Sequence, residues 1–253
     1  MIKKIEGIII SEIDYKESSK IINIFSPTDG IIGILAKGTK KIKSNLSGVT
    51  SKLTYGNFHI NYKENGLSTL IEVDIIDGFK NIRRNIDLIS YAGYLLELSS
   101  MVYKHDNDAE IYNLLIASLK KIDEGYDYIV ITCILELKLL EYLGIKPVID
   151  SCVSCGNKID IVTISSYKGG YLCKDCAHDE VIVNIKTIKL LRMFYYVDIN
   201  KISKLEVSDN IKKELNMFID DYYDRYSGLY LKSKSFLKNL QNIWYMYDDM
   251  ILC

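Results

Sequence analysis

The chain has 253 residues and a formal net charge of −1, and 48% of its residues are hydrophobic. This length suits one large domain or two modest ones, and the hydrophobic share is ample for a core. The near-neutral charge excludes a protein that is basic over its whole surface, so any nucleic-acid site must come from local clustering. Residues 129–143, the richest apolar stretch, contain three charged residues, which argues against a membrane span. Residues 1–14 lack the apolar run and cleavage site of a secretory signal, so we expect a cytoplasmic protein.

Five runs near the start of the chain have the alternation or the β-branched enrichment of strands. They span residues 5–13, 20–25, 31–36, 51–62 and 67–76. Turn sequences separate them, including the stretch 26–30 and the Asn65-Gly66 pair, which predicts a hairpin tip. Five short strands predict a small barrel such as the OB-fold, a common carrier of single-stranded nucleic acid. An SH3-like barrel is the structural alternative.

One segment of this region is locally basic. No carboxylate lies between Asp29 and Glu64, but six lysines do: Lys37, Lys40, Lys41, Lys43, Lys52 and Lys63. Lysines on a glycine- and serine-bearing loop can follow a phosphate backbone, although the charge alone is equally compatible with an ordinary solvated loop. The segment is not a P-loop, because the threonine after Gly38 precedes the lysine instead of following it.

After Gly78 the spacing of apolar residues becomes helical. Helices are predicted at residues 86–103, 110–122, 128–143, 185–197, 210–226 and 229–247. The third ends at Gly144 with Pro147 beyond it, a common helix stop. We therefore predict an α+β protein with a small barrel domain such as an OB-fold at residues 1–80 and a helical domain at residues 81–253.

A four-cysteine pattern interrupts the helical region at about residues 150–178. Two C-x-x-C pairs are separated by seventeen residues, and their members are Cys152, Cys155, Cys173 and Cys176. Four thiolates suit tetrahedral Zn²⁺, and glycines at positions 156, 169 and 170 could adopt the positive φ of metal-binding turns. A four-thiolate site has no open position, so the predicted zinc knuckle holds one structural ion. His178 could compete as a ligand, with a surface histidine as the alternative.

Other interpretations of the cysteines are weaker. A disulfide framework belongs to small secreted domains, and a thioredoxin-like redox pair would not need a second copy. Cys133 lies in an apolar run and Cys253 at the end of the chain. They are interpreted as a buried small hydrophobic residue and a frayed terminus.

Five segments, in this order along the chain, resemble the RecO family of bacterial recombination mediators. They are GIIISEIDYKESSKIINIFSPTDGIIGILAKGTKKIKS, LIEVDIIDGF, ELKLLEYLGIKP, CVSCGN with GGYLCKDCA, and YSGLYLKSKSFL. The resemblance covers nearly the whole chain. It rests on the ordered occurrence of these segments more than on any one of them.

The resemblance implies a DNA-repair protein without enzymatic activity, associated with the nucleoid. Proteins similar to this one bind single- and double-stranded DNA and anneal complementary strands. With RecR they help to load RecA onto DNA coated by single-stranded DNA-binding protein, whose acidic C-terminal tail they recognise. The positions that match the family's DNA-binding residues are Lys20, Lys37, Lys40, Lys41 and Lys43. Many relatives have arginines in this loop, and lysine contacts a phosphate as a point charge without a bidentate fork.

Two other classes of protein were weighed against this one. Some adenylate kinases have a zinc lid with similar cysteine spacing, but the missing P-loop argues against an enzyme of that kind. The alternative function is a zinc-containing transcription or translation factor that binds folded RNA. An annealing assay and an RNA competition would distinguish it from a recombination mediator.

Overall fold

The computed structural model describes residues 1–41 and 43–237 of the chain. They form two compact units. The first contains Met1–Asp123 together with the described residues from Leu231 onward, and the second is Glu124–Tyr230.

The first unit begins with a five-stranded barrel. Its strands are β1 (Ile2–Tyr15), β2 (Ser19–Ser26), β3 (Gly30–Ala36), β4 (Tyr55–Asn61) and β5 (Ser68–Asp77). They are arranged in the order β1-β2-β3-β5-β4, and β1 closes the barrel by pairing with β4. Every pair is antiparallel except β3 with β5. The prediction of an α+β chain, with five N-terminal strands followed by helices, is confirmed.

Alternation along the strands fills the barrel with apolar side chains. In β4, Phe58 and Ile60 are buried, whereas His59 between them contacts Asp74 of β5 at 2.9 Å on the outer face. The core residues are Ile5, Ile9, Ile22, Ile24, Ile34, Ala36, Phe58, Ile60 and Leu70. Burial of each large side chain contributes about 1.5–3 kcal/mol, so this core is a principal source of the barrel's stability.

Helices complete the first unit. They are the 3-10 helix Ile82–Arg84, α1 (Ile86–His105) and α2 (Glu110–Asp123), and residues 232–237 are also helical. The Asn85 side chain caps α1 by accepting hydrogen bonds from two amides of its first turn. Phe25 of β2 packs against Tyr103 of α1 and Tyr112 of α2, with ring centroids 4.7 and 5.3 Å apart. Aromatic contacts therefore join the barrel to these helices.

The second unit contains three helices and a two-stranded hairpin. They are α3 (Tyr128–Tyr142), β6 (Ile161–Ser165), β7 (Gly170–Cys173), α4 (Ile185–Tyr196) and α5 (Asp209–Tyr226). Ten of the fifteen residues of α3 are buried, as expected for a helix that is apolar on most sides. Gly144, with a φ of +70°, follows its end. Within the described residues, none of the helices has the length and apolar character needed to cross a membrane.

Most predicted boundaries lie within three residues of the observed ones. The exception is the start of the fourth strand, because residues 51–54 form a turn instead. The Leu53 amide donates to the Ile9 carbonyl at 3.0 Å, and Leu53 has a φ of +70°, which is incompatible with a strand. The β6–β7 hairpin was not predicted. Of the last predicted helix, residues 232–237 are helical and residues 238–247 lie outside the described part of the chain.

Candidate nucleic-acid interface and metal site

The predicted phosphate-binding lysines lie mainly in the segment that follows β3. We call residues 37–44 the basic loop, of which all but residue 42 are described, and its four lysines are exposed. The Lys40 amide donates to the Ser18 carbonyl at 3.2 Å, and the Gly38 amide donates to Ser19 Oγ at 3.4 Å. Lys20 of β2 pairs with Ala36, the residue that precedes the loop. The basic loop, the β1–β2 turn and Lys20 therefore form one continuous surface.

Two of the predicted lysines already contact carboxylates of β1. Lys20 Nζ donates to Glu12 Oε2 at 3.0 Å, and Lys40 Nζ lies 2.5 Å from Asp14 Oδ2. The pairing of β1 with β2 explains this, because Asp14 lies opposite Lys20. Neither contact was predicted. Glu12 lies inside the strand predicted at residues 5–13, but a count of charges along the chain does not pair it with a lysine. Asp14 lies beyond that predicted strand, whereas β1 continues to Tyr15. Extending the alternation of that strand by two residues would have placed Asp14 on the same face as Glu12.

The other three lysines of the basic loop are free of such contacts. In the part of the chain that the structure describes, Lys37, Lys41 and Lys43 make no ion pair. At the end of β1, the Lys16 ammonium lies 5.4 Å from the centre of the Tyr15 ring. Tyr15 is 37% exposed, so a partly exposed aromatic ring lies at the end of β1, next to the β1–β2 turn.

A further lysine of the basic segment, Lys52, differs from these because it is largely buried. Burial lowers the pKa of Lys52, and the negative charges of Glu97 and Glu12 oppose that shift. Glu12 therefore influences both Lys20 and Lys52. The distribution of charge on this side of the barrel depends on β1 as well as on the basic loop.

The four cysteines predicted as metal ligands converge in the second unit. Their sulfur atoms, from Cys152, Cys155, Cys173 and Cys176, all lie within 4.8 Å of one another. A Zn–S distance of about 2.3 Å gives a tetrahedral S···S separation of about 3.8 Å. Cys155 Sγ lies 3.7 Å from Cys173 Sγ, so this pair matches that separation. The four side chains could hold a metal ion, and among the described residues this ligand group does not include His178.

Local backbone structure brings the two pairs together. The Gly156 amide donates to the Cys152 carbonyl at 2.8 Å, and Gly156 has a φ of +76°, so a tight turn follows the first pair. The β6–β7 hairpin then reverses the chain and ends at Cys173. Gly170 has no room for a side chain, because an added Cβ would lie 2.2 Å from the Val148 carbonyl oxygen.

Hydrogen bonding and crowding change the acidity of the thiols. Burial acts to raise the pKa of the Cys152 thiol, but the amides of Cys173, Cys155 and Ser154 outweigh it and lower that pKa to about 6. The neighbouring thiols of Cys155 and Cys173 raise the pKa of Cys176 to about 12. Four crowded thiols cannot all ionise without a cation, because their negative charges would repel one another. A bound dication offsets that repulsion and favours the thiolate forms. The donor set and its electrostatics fit a thiolate-bound metal.

The second unit also has a groove beside α4, which sequence analysis did not identify. A cavity of about 230 Å³ opens there, and its apolar walls come chiefly from α3 and α4. Lys201 lies at this cavity, and adjoining hollows are lined by Lys186, Lys189 and Arg192 together with Glu206. We call these residues and the cavity the α4 groove. It combines an apolar cavity with an edge whose charged residues are mainly basic.

Comparisons with known proteins agree with this architecture. The family model described as "Recombination protein O N terminal" matches residues 1–79, and "Recombination protein O C terminal" matches residues 83–235. The chain belongs to the RecO family. It is 34% identical over 247 residues to "DNA repair protein RecO" of Bacillus pumilus, covering 96% of each chain. It is 36% identical over 244 residues to the proteins of that name from Bacillus cereus and Bacillus anthracis, covering 95% of this chain and 98% of theirs.

The family membership confirms the resemblance stated from the sequence. It supports a role in DNA repair and recombination. Matches to both family models mean that the barrel and the helical region each belong to this family.

Proposed function

We propose that this protein is a recombination mediator that binds single- and double-stranded DNA and anneals complementary strands. The observation that carries the proposal is the exposed basic loop, which lies beside the β1–β2 turn of a five-stranded barrel. Lys20, Lys37, Lys40, Lys41 and Lys43 are the proposed phosphate ligands. Contacts of this kind position a strand without reading its bases, as annealing of arbitrary sequences requires.

The barrel is proposed to be an OB-fold, and residues 1–80 to be the DNA-binding domain beside a helical domain at 81–253. The strand order β1-β2-β3-β5-β4 supports this, because the OB-fold is a five-stranded Greek-key barrel that binds oligonucleotides through the face of strands 2 and 3 and through the loops that join strands 1 to 2 and 4 to 5. Of the proposed ligands, Lys20 is on β2. The basic loop joins β3 to β4 and is hydrogen-bonded through the Lys40 amide to Ser18 in the β1–β2 turn, one of those two loops.

Annealing by such a surface requires no chemical step. Lysines that neutralise phosphates reduce the repulsion between two strands, and holding both strands on one protein raises their effective concentration. We therefore propose that the protein is not an enzyme and that it anneals strands without ATP or a divalent metal.

The four-cysteine site is proposed to hold one structural zinc ion. The convergence of Cys152, Cys155, Cys173 and Cys176 supports this, because four thiolates match the closed tetrahedral sites of zinc. Such an ion would stabilise residues 150–178, where the apolar cluster is small and consists mainly of Cys152, Leu172, Cys173 and Ala177.

With RecR, the protein is proposed to help load RecA onto DNA coated with single-stranded DNA-binding protein. The proposed protein partners are RecR and the acidic C-terminal tail of single-stranded DNA-binding protein. The α4 groove supports the last of these, because a basic edge beside an apolar cavity is complementary to an acidic peptide with an apolar end. Its lysines at positions 186, 189 and 201 are exposed.

The proposed DNA site is tested by replacing its loop lysines with alanine and measuring binding to single-stranded DNA over a range of salt concentrations. The residues replaced are Lys37, Lys40, Lys41 and Lys43. Affinity should fall for all sequences alike. The slope of log affinity against log salt should flatten by about 0.7 for each lost phosphate contact, or about 2.8 in total. The matched control removes four exposed lysines elsewhere, Lys104, Lys158, Lys174 and Lys213, and should leave the slope almost unchanged. An unchanged slope in the basic-loop variant would move the DNA site to another surface.

Annealing itself is tested with complementary strands, naked or coated with cognate single-stranded DNA-binding protein, in the absence of ATP. Both reactions should proceed, and removal of the acidic tail should abolish only the reaction on coated strands. A requirement for nucleotide hydrolysis would contradict the mechanism. Preferential binding of folded RNA, with no annealing of DNA, would favour the alternative of an RNA-binding factor.

A further inference from the structure

We infer that Glu12 and Asp14 are part of the DNA-binding surface, where they compete with phosphate for Lys20 and Lys40. In the free protein each carboxylate occupies one of the lysines that DNA is proposed to use. They thereby limit the affinity for DNA and allow strands to be released. This inference rests on the proposed function, because it assigns a regulatory role to residues within the same site.

The placement of the two carboxylates follows from the geometry of β1. Residues two positions apart on a strand project from the same face, so Glu12 and Asp14 share a face. Asp14 lies opposite Lys20 in the β1–β2 register, and the Lys40 amide is bonded to Ser18 in the turn between these strands. Both lysines are therefore held within reach of this one face of β1.

The side chains of both ion pairs are exposed enough for a phosphate to replace the carboxylate as the partner of each lysine. The side chains of Lys20 and Glu12 are 22% and 33% exposed, and those of Lys40 and Asp14 are 35% and 66% exposed. A phosphate can approach each lysine from solvent without unfolding of the hairpin. Ion pairs as exposed as these are weak, so a phosphate backbone that offers several charges at once can displace them.

Exchange of partners has a measurable consequence for the salt dependence. A lysine that binds a phosphate releases one condensed cation from the DNA. A carboxylate freed in the same step takes up a cation from solution, which partly cancels that release. Removing the carboxylate should therefore steepen the salt dependence, whereas removing the lysine should flatten it.

The test uses the full chain with Asp14→Asn or Glu12→Gln and a fluorescent oligo-thymidine strand. Each substitution should tighten binding at low salt by about 1.4- to 5-fold, the factor that corresponds to breaking one exposed ion pair. Each should also steepen the salt slope by up to about 0.7. Dissociation of the strand should slow in proportion to the gain in affinity. Both substitutions preserve side-chain size, and thermal unfolding checks that the hairpin is intact.

Two controls separate local competition from a general change of charge. Asp179→Asn removes an exposed carboxylate of the second unit and should leave affinity and slope at their wild-type values. In a Lys40→Ala background, Asp14→Asn should lose its effect, because the double-mutant cycle isolates the interaction between these two residues. An effect that persists in that background would overturn the inference.

Failure of the inference differs from failure of the proposed function. If the basic-loop variant binds DNA as the wild type does, the proposed site is wrong. If that variant binds weakly but Asp14→Asn and Glu12→Gln keep the wild-type affinity and slope, then only the inferred competition is wrong. The two ion pairs would in that case merely fasten the β1–β2 hairpin.

Discussion

A methyl group added at Gly170 tests how the second unit positions its cysteines. An added Cβ would lie 2.2 Å from the Val148 carbonyl oxygen and 2.9 Å from Val148 Cβ. Ordinary carbon–oxygen contacts are about 3.3 Å or longer, so the two segments must separate by about 1 Å in Gly170→Ala. Because Gly170 begins β7 and Cys173 ends it, that displacement should also shift a proposed metal ligand.

The magnitude follows from the contacts that such a separation would disturb. The Val148 amide donates to the Gly169 carbonyl at 2.9 Å, and the Tyr171 amide donates to the Val148 carbonyl at 2.8 Å. Each backbone bond contributes about 0.5–1.5 kcal/mol, so the unfolding free energy of the second unit should fall by about 1–3 kcal/mol. Metal sites tolerate changes of only about 0.2 Å, and loss of supporting contacts typically weakens metal affinity about 10- to 100-fold.

Two assays on Gly170→Ala measure these effects. Competition with a chromophoric chelator gives the zinc affinity, and urea unfolding followed by circular dichroism gives the stability. Gly48→Ala is the matched control, because an added Cβ at Gly48 has no neighbour within 4 Å and should change neither quantity. Wild-type zinc affinity and stability in Gly170→Ala would refute the argument that contact with Val148 holds the hairpin in register with the first cysteine pair.

Two further predictions concern the metal and an ion pair of the barrel. Wild-type protein purified under reducing conditions should contain one zinc ion per chain by elemental analysis, and zinc-free wild type would contradict this. The Cys152→Ser variant should contain less zinc and be less stable and less soluble, because metal binding and folding are coupled in such sites. Burial acts to raise the pKa of Asp29, but hydrogen bonds from Lys3 and Thr28 outweigh it and hold that pKa below its usual value. Asp29 therefore stabilises the fold above its unfolded pKa of about 3.9, and this contribution is lost as the pH falls through the lower folded value. The Asp29→Asn variant should be less stable than wild type by about 0.2–1 kcal/mol at pH 7, and this difference in stability should shrink below about pH 4. A difference that stays constant below about pH 4 would count against the ion pair.

The barrel and most helices could be predicted because their signals are local. Phe58 and Ile60 alternate with polar residues along β4, and Gly144 comes two residues after the end of the largely buried α3. The β6–β7 hairpin was missed although its signal is present. The run at residues 161–165 is rich in β-branched side chains, and Gly169 with a φ of +85° marks the turn. It was overlooked because the cysteine spacing alone accounted for that segment.

The charge of the proposed nucleic-acid interface could not be judged from charge counts along the chain. No other carboxylate lies between Asp29 and Glu64, and that count predicts a locally basic segment. In the folded protein, strand pairing brings Asp14 to Lys40 across 26 residues of sequence, at a distance of 2.5 Å. The attraction between a lysine and a carboxylate depends on their distance in space, so the register of β1 with β2 determines which lysines are paired. The proposed annealing requires the protein both to bind and to release DNA. The inferred competition of carboxylates for some of the lysines, but not for others, would meet both requirements on one surface.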